Sequence, residues 1–411
     1  MSRHEGATID RIATATAAAA LDRLAGSDLV ERGCVTIISV EAIQERAGDR
    51  WPRKRDDVWA YVGRKLDEHL SHQDIRQRLN ETDFLIGMTQ EEGVAAQAVS
   101  LKILEEVLVF FLGSAEQADF RVRSVNRIDG LNVSAAELDP VRIAVARQRV
   151  ADPAAPSPYR HGIDPEEERK RNPVSFVTAG GETMKVHFAL EHVVSLQHNV
   201  TAALRVQPTV SHAATGRVIP TRFFGKLTDE EAAFIDRSAL DFASLFMPKD
   251  SRSQPPLIVP ASFRSLGGRK GRRELVGRED ITAEQLRRSL FIELFDVDRG
   301  TPPGRLAEVS ALVTAVSRGV FVRLQPVKRA AAPVRDVRLR GLTFDAADLA
   351  GFDSRLARLL VAISMEAKGL SPALVVQGLP SAEYFGMAQV AGFTHASRRA
   401  IAAGESERPA A

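Results

Sequence analysis

Residues 359–393 read LLVAISMEAKGLSPALVVQGLPSAEYFGMAQVAGF. Apolar side chains recur at helical spacing up to Lys368, Gly369 and Pro372 end that pattern, and Ala373–Val376 is a short apolar run. Helical spacing then returns over 381–391. A short, continuously apolar run between two helices is the mark of a strand buried on both faces, as in a parallel sheet. Upstream, helical patterns over 228–247, 282–290, 303–317 and 353–368 alternate with apolar runs at Leu257–Val259, Phe291–Phe295, Val320–Leu324 and Leu339–Phe344. At least five strand–helix units favour a closed β/α barrel over an open sheet.

The first half is patterned differently. Residues 8–30 carry Ile9, Ile12, Ala13, Ala20 and Leu24 on one side of a helix. Cys34–Val40 is a β-branched buried strand, and a helix follows from about Arg55 to Leu70. Residues 75–79 and 83–88 form a hairpin, 93–112 another helix and 119–125 a last strand; 138–150 is compatible with a helix. That order describes an α+β sandwich. Residues 151–173 hold five prolines and a mixed charge run, which is linker composition. The expected fold is α/β: an N-terminal helix over 1–30, an α+β domain over 31–150, a linker over 151–178, a barrel domain over 179–400 and a disordered tail over 401–411.

Composition excludes several classes. A net charge of +2 is not that of a chain built to coat nucleic acid or an anionic membrane. The single cysteine, Cys34, cannot pair within the chain, which fits a reducing compartment. The N-terminus lacks a signal pattern and no apolar run approaches ~18 residues, so a cytoplasmic location is expected. The nine histidines lack zinc spacing, and no phosphate loop or nucleophile elbow is present. No metal or cofactor is expected. Trp59 reads as core, whereas Trp51, before Pro52, is less determined.

Residues 34–112 resemble a GGDEF domain, in which a first strand ends in a metal-binding acidic site and a hairpin carries the signature turn. Here the strand ends Ile38-Ser39-Val40-Glu41, and the hairpin reads Arg78-Leu79-Asn80-Glu81-Thr82-Asp83-Phe84-Leu85-Ile86. The resemblance aligns the metal Asp with Ser39, with Glu41 nearby. It aligns the two signature glycines with Asn80 and Glu81, the acidic third position with Thr82, and leaves Asp83 in place. Upstream, the inhibition motif becomes Ser71-His72-Gln73-Asp74, without its Arg. A cyclase needs carboxylates to hold cations on a triphosphate, so this pattern implies an inactive domain.

Residues 184–398 resemble an EAL domain, a barrel that hydrolyses cyclic di-GMP. The resemblance rests on Leu359–Ile363, Ala367–Leu370, Val375-Val376-Gln377-Gly378-Leu379-Pro380 and Gly392-Phe393, on Gly216–Phe224, and on Phe291–Asp296. It places the signature Glu at Ala202, the metal Asn at Pro260, and a shortened acid at Asp296. The paired aspartates become Gln325-Pro326, the Lys-x-Asp motif keeps only Asp345, and the last Glu pair becomes Gln377 and Pro380. Two carboxylates without those partners cannot hold a metal pair.

The expected function is therefore that of a catalytically inactive GGDEF–EAL-like signalling protein acting by protein–protein interaction, with a homodimer as one arrangement. One alternative is a receptor that keeps cyclic di-GMP or another nucleotide in the barrel mouth, where Asp296, Asp345, Gln377 and Arg205 would face it. The other is a residual phosphodiesterase. A strand-end Asp is more often a helix cap than a ligand. The basic stretch Arg264–Arg273 lacks interleaved aromatics and reads as a flexible insertion rather than a nucleic-acid site.

Overall fold

A computed structural model describes residues 6–8, 14–91, 93–116, 119–130, 132–138, 163–247, 254–276, 281–298, 300–325, 330–346, 354–379 and 384–399. The chain divides into two units, residues 1–149 with 250–255 and residues 150–249 with 256–411. Among the described residues no helix is long and apolar enough to cross a membrane.

Unit 1 runs β1 (Gly6–Thr8), α1 (Thr14–Ala25), β2 (Val35–Ser39), α2 (Glu41–Ala47), α3 (Trp51–His69), β3 (Ile75–Arg78), β4 (Asp83–Gly87), α4 (Gly93–Leu112), β5 (Arg121–Asp129) and β6 (Asn132–Glu137). Its antiparallel sheet has the order β1-β6-β5-β2-β4-β3. β2 lies between β4 and β5, so all five of its residues are buried, which is why it reads as one apolar run. α4 covers it with Val94, Ala98, Leu101, Leu104 and Leu108, and the Thr36 and Ser100 hydroxyls satisfy each other at 2.6 Å. Two expectations change here. The last strand continues to Asp129, then turns through Gly130 (φ 59°) into β6, because glycine adopts this left-handed conformation without steric cost. Thr8, assigned to the first helix, pairs in β1 with Asn132.

Unit 2 runs α5 (Pro165–Arg171), β7 (Val174–Val177), β8 (Thr183–Ser195), β9 (Val200–His212), β10 (Val218–Ile219), α6 (Asp229–Ser244), β11 (Leu257–Ser262), α7 (Phe263–Gly267), α8 (Arg269–Val276), α9 (Ala283–Ser289), β12 (Leu290–Phe295), α10 (Pro303–Thr314), β13 (Gly319–Arg323), β14 (Gly341–Asp345), α11 (Ser354–Ala367), β15 (Ala373–Leu379), α12 (Tyr384–Ala391) and β16 (His395–Arg398). β9 and β11 to β16 pair in parallel, while β8 is antiparallel to both β16 and β9 and closes an eight-stranded barrel. Capping boxes at Thr228/Glu231 and Thr282/Gln285 start α6 and α9. Between the strands and the surrounding helices lies the main core, where Phe188 and Phe242 stack at 5.6 Å.

The part of the expected linker that is described, 163–178, holds α5 and β7, and β7 pairs with β8. Proline in α5 is compatible with a helix because Pro165 occupies its first turn, behind the Asp164 cap. Gly216–Phe224 leads through β10 and a 3₁₀ turn, rather than directly, into α6. The stretch 264–273 is helical in α7 and α8, correcting the flexible insertion. Residues 139–150, Pro326, Pro380 and 401–411 lie outside the described residues.

Candidate functional site

The barrel interior is built by alternation. Val193, Ala203, Ile258, Phe291, Phe321 and Val375 point inward and form an apolar plug. Because every second residue of a strand shares a face, the position two residues closer to the C-terminal end of the barrel points inward too. Those positions are Glu191, Arg205, Pro260, Glu293, Arg323 and Gln377. Above the apolar plug lies a polar layer, on the face where β/α barrels carry their sites.

Glu293 is its centre and is fully buried. It accepts from Arg323 Nη2 and Gln377 Nε2 at 2.5 Å, Thr343 Oγ1 at 2.6 Å and Arg205 Nε at 3.4 Å. Arg205 also donates to Glu191 at 2.9 Å, and Ser397 donates to the same Glu191 oxygen at 3.0 Å. Asp345, beside Gln377 in register, lies 3.8 Å from Arg323. Burial pushes the Glu293 carboxyl up, but the charges of Arg323 and Arg205 and the hydrogen bonds outweigh it and hold it down to about 2. Burial raises Glu191, Arg205 pulls it back and Asp345 adds to the rise, leaving it above the ordinary carboxylate range. Burial opposes the charge on Arg205, yet the three carboxylates raise it further, so it stays ionised.

Of the residues expected at the mouth, Arg205, Asp345 and Gln377 come together around Glu293. Asp296 is engaged elsewhere. At φ 55° it turns back to accept from Ser262 Oγ (2.7 Å), Phe263 N (2.8 Å) and Arg264 Nε (3.1 Å). It thus fixes the turn from β11 into α7, a cap of the kind strand-end aspartates commonly form. Pro260 faces Glu293 in register and lies beyond Ile258, the last residue of β11 paired with β9. Ala202 is not the inward residue of β9. Val193 pairs with Ala203 and Val194 with Thr201, so Ala202 is the extra residue of a bulge and Ala203 takes the inner position. Glu191, Glu293, Arg323, Thr343 and Ser397 were missed by reading strand ends.

The donor set does not fit a pair of divalent cations. Each such cation wants several free oxygen ligands, whereas Glu293 and Glu191 are already bonded to guanidiniums.

In unit 1 the signature positions also converge. Ser39 lies between Asp83 and Arg121 in register. Arg123 donates to Asp83 at 2.7 Å, and Arg121 to Glu41 at 2.8 Å and Glu45 at 3.2 Å. Asn80 Oδ1 accepts from the backbone N–H groups of Thr82 (2.8 Å) and Asp83 (2.7 Å), making the turn self-supporting. Glu81 accepts from Trp51 Nε1 at 3.2 Å and Arg55 at 3.4 Å, and its carbonyl accepts from Trp59 Nε1 at 2.9 Å. The turn is thereby fastened to α3. Trp59, expected in the core, is not fully buried, and Trp51, less determined by the sequence, is. Trp51 is buried, and Trp59 is half-buried under the Arg78 guanidinium, 3.6 Å from the ring centroid. Asp74, the surviving acid of the upstream motif, accepts from Ser71 and Thr89, tying two loops together.

Among the described residues, Glu68, His69 and Glu106 form one group with metal-ligand spacing. The Lys65 ammonium already sits there, 2.6 Å from Glu68 and 3.1 Å from Glu106.

No family model and no curated protein matches the sequence. Solved structures similar to this chain include the S helix–GGDEF–EAL portion of Vibrio cholerae LapD bound to c-di-GMP, at 13% identity, 95% coverage of each chain and a TM-score of 0.42. Klebsiella pneumoniae BlrP1, in a calcium/cyclic di-GMP complex, is similar at 13% identity over 89% of this chain and 94% of that one, with a TM-score of 0.41. The Xanthomonas citri FimX EAL domain, in complex with c-di-GMP, is similar at 15% identity over 52% of this chain and 85% of that one, with a TM-score of 0.39.

Proposed function

We propose that this chain is a non-catalytic signalling protein of GGDEF–EAL architecture that acts by protein–protein interaction. The observation that carries this reading is the pairing of Glu293 with Arg205 and Arg323. A phosphodiesterase of that kind uses its inward acids to hold cations that activate water and neutralise the phosphate. Here the acids neutralise two side chains of the chain itself. In unit 1, Arg121 and Arg123 meet the remaining acids in the same way, and the Glu81 side chain takes the place where a glycine would let a nucleotide approach. The test is incubation of the pure protein with cyclic di-GMP, and separately with GTP, in magnesium or manganese. No product is expected from either. Turnover abolished by Asp345→Ala, or cyclase product abolished by Glu41→Ala, would overturn the reading in favour of residual enzymes.

A second reading has its own support. Arg205 Nη2, Arg323 Nε and Gln377 Oε1 are buried and have no hydrogen-bond partner among the described residues. Buried polar atoms of native proteins generally have partners, so these call for a water or a ligand group. A receptor binding cyclic di-GMP without metal would supply acceptors to the two guanidiniums. Calorimetry with cyclic di-GMP in EDTA separates the readings: saturable binding favours the receptor, and none favours the scaffold.

A further inference from the structure

We propose that arginines on the rim of the barrel form a docking site for a phosphate group, separate from the mouth. The segment Arg264–Val276 carries five basic residues against one acidic residue. α7 starts at the C-terminal end of β11, and α10 begins eight residues beyond the corresponding end of β12. Both therefore stand on the C-terminal face of the barrel, the face on which such folds carry their sites.

Two guanidiniums from these separate elements meet on one atom. Arg272 Nη1 donates to Gly267 O at 2.9 Å, and Arg305 Nη2 donates to the same oxygen at 2.6 Å. The two nitrogens are therefore within about 5.5 Å of each other, with one neutral carbonyl between them. Arg305 is offset by Glu308 at 2.6 Å, but among the described residues Arg272 donates only to carbonyls. Arg269 and Arg273 share the face of α8 that carries Arg272, at positions i, i+3 and i+4, and both are exposed. Among the described residues neither has a carboxylate partner. Arg264, by contrast, is engaged by Asp296 and Asp229.

The arrangement is fixed rather than a loose charged loop. A Cβ at Gly271 would stand 2.3 Å from Ser265 O, so only glycine lets α8 lie against α7 closely enough for Arg272 to reach the α7 carbonyls. A guanidinium presents a planar fork of donors that matches phosphate oxygens two at a time, and unbalanced arginines held at this spacing favour a multivalent anion. An acidic peptide would use the same charge. The compact cluster of guanidiniums on a short helix favours a discrete phosphate.

The inference concerns the rim and does not depend on what the mouth binds. Its test uses the full chain and inorganic pyrophosphate in titration calorimetry at low ionic strength. The expected result is saturable binding that weakens with salt and falls about tenfold or more in the double variant Arg269→Glu/Arg273→Glu. Both positions are exposed, and an unchanged circular dichroism spectrum would verify the fold of that variant. A parallel arm measures flotation with phosphatidylcholine vesicles containing phosphatidylglycerol. Absence of pyrophosphate binding, or binding that the double reversal leaves unchanged, overturns the proposal. Capture by anionic vesicles without pyrophosphate binding overturns it as well, since the arginines would then serve a membrane surface.

Discussion

The two units place arginine against acid in the same way and to opposite effect. In unit 1, Arg121 and Glu41 are each 43% exposed, so water competes for both ends of the pair. In unit 2, Arg205 and Glu293 are 1% and 0% exposed. Exposed pairs are worth ~0–1 kcal/mol, whereas removing one partner of a buried pair strands the other charge and costs about 3–5 kcal/mol. An arginine at the rim of a sheet removes a ligand from solution only loosely. One inside a barrel becomes part of the fold, and removing it would strand its buried acid.

The largest expected effect tests this contrast directly. Glu293→Ala leaves Arg205 and Arg323 buried without their shared acid, and unit 2 should lose about 3–5 kcal/mol in urea denaturation. Asp83→Ala in unit 1 removes the partner of Arg123, which at 23% exposure can turn toward water. That change should cost about 1–2 kcal/mol, near the lower end for a lost charged hydrogen bond. A loss at Asp83 equal to that at Glu293 would break the contrast.

The polar layer was legible in the sequence, though not where strand ends point. Ala203 and Arg205, Phe291 and Glu293, Phe321 and Arg323, and Val375 and Gln377 each place a polar residue two positions after an inward apolar one. Reading each strand as an apolar run found the barrel and passed over this alternation. What spacing could not supply was the pairing across the barrel, because Glu191 and Ser397 meet only after closure joins residues 206 positions apart. The bulge at Ala202 was equally hidden, since one extra residue changes which side chains face inward without altering composition. In unit 1 the last strand was legible only to residue 125, short of the turn at Gly130, and β1 was not legible at all, since three residues of Gly-Ala-Thr carry no period.

A smaller effect concerns pH, and it should belong to unit 2. Asp236 and Asp296 converge on Ser262, which gives its N–H to Asp236 and its hydroxyl to Asp296. Burial, with Asp296 adding its charge, pushes the Asp236 carboxyl from its ordinary 3.8 up to about 8, against the pull of the Ser262 and Ser265 hydrogen bonds and of Arg264. Between those values the folded chain holds a proton that the unfolded chain releases, so stability falls as pH rises through the window. Glu293 acts in the opposite sense: its contribution is complete above 4.5 and is lost only as pH falls toward 2. Unit 2 should therefore lose about 3 kcal/mol between pH 5.5 and pH 8 and melt roughly 7–14 °C lower at the higher pH. Asp236→Asn should reduce that slope, leaving the part owed to Glu191 and Asp296, which are also raised. A variant with the full slope of the parent would show that the titration lies elsewhere.

The smallest effect is expected at Arg121, and it is the most demanding test of the contrast because it predicts little. Arg121 reaches Glu41 at 2.8 Å and Glu45 at 3.2 Å, distances as short as those inside the barrel. Geometry alone would therefore rank this pair with Arg205 and Glu191 at 2.9 Å. Solvent decides otherwise. All three side chains are 43% exposed or more, so an unpaired member regains most of its hydration when its partner is removed. Arg121→Ala should cost no more than about 1 kcal/mol, and a double-mutant cycle with Glu41→Ala should give a coupling within the same bound. The coupling should shrink further in 1 M salt, where exposed charges are screened over ~3 Å. A salt-insensitive coupling of several kcal/mol at Arg121 would mean that short ion pairs in this chain are equally strong wherever they lie, and burial would no longer separate the two units.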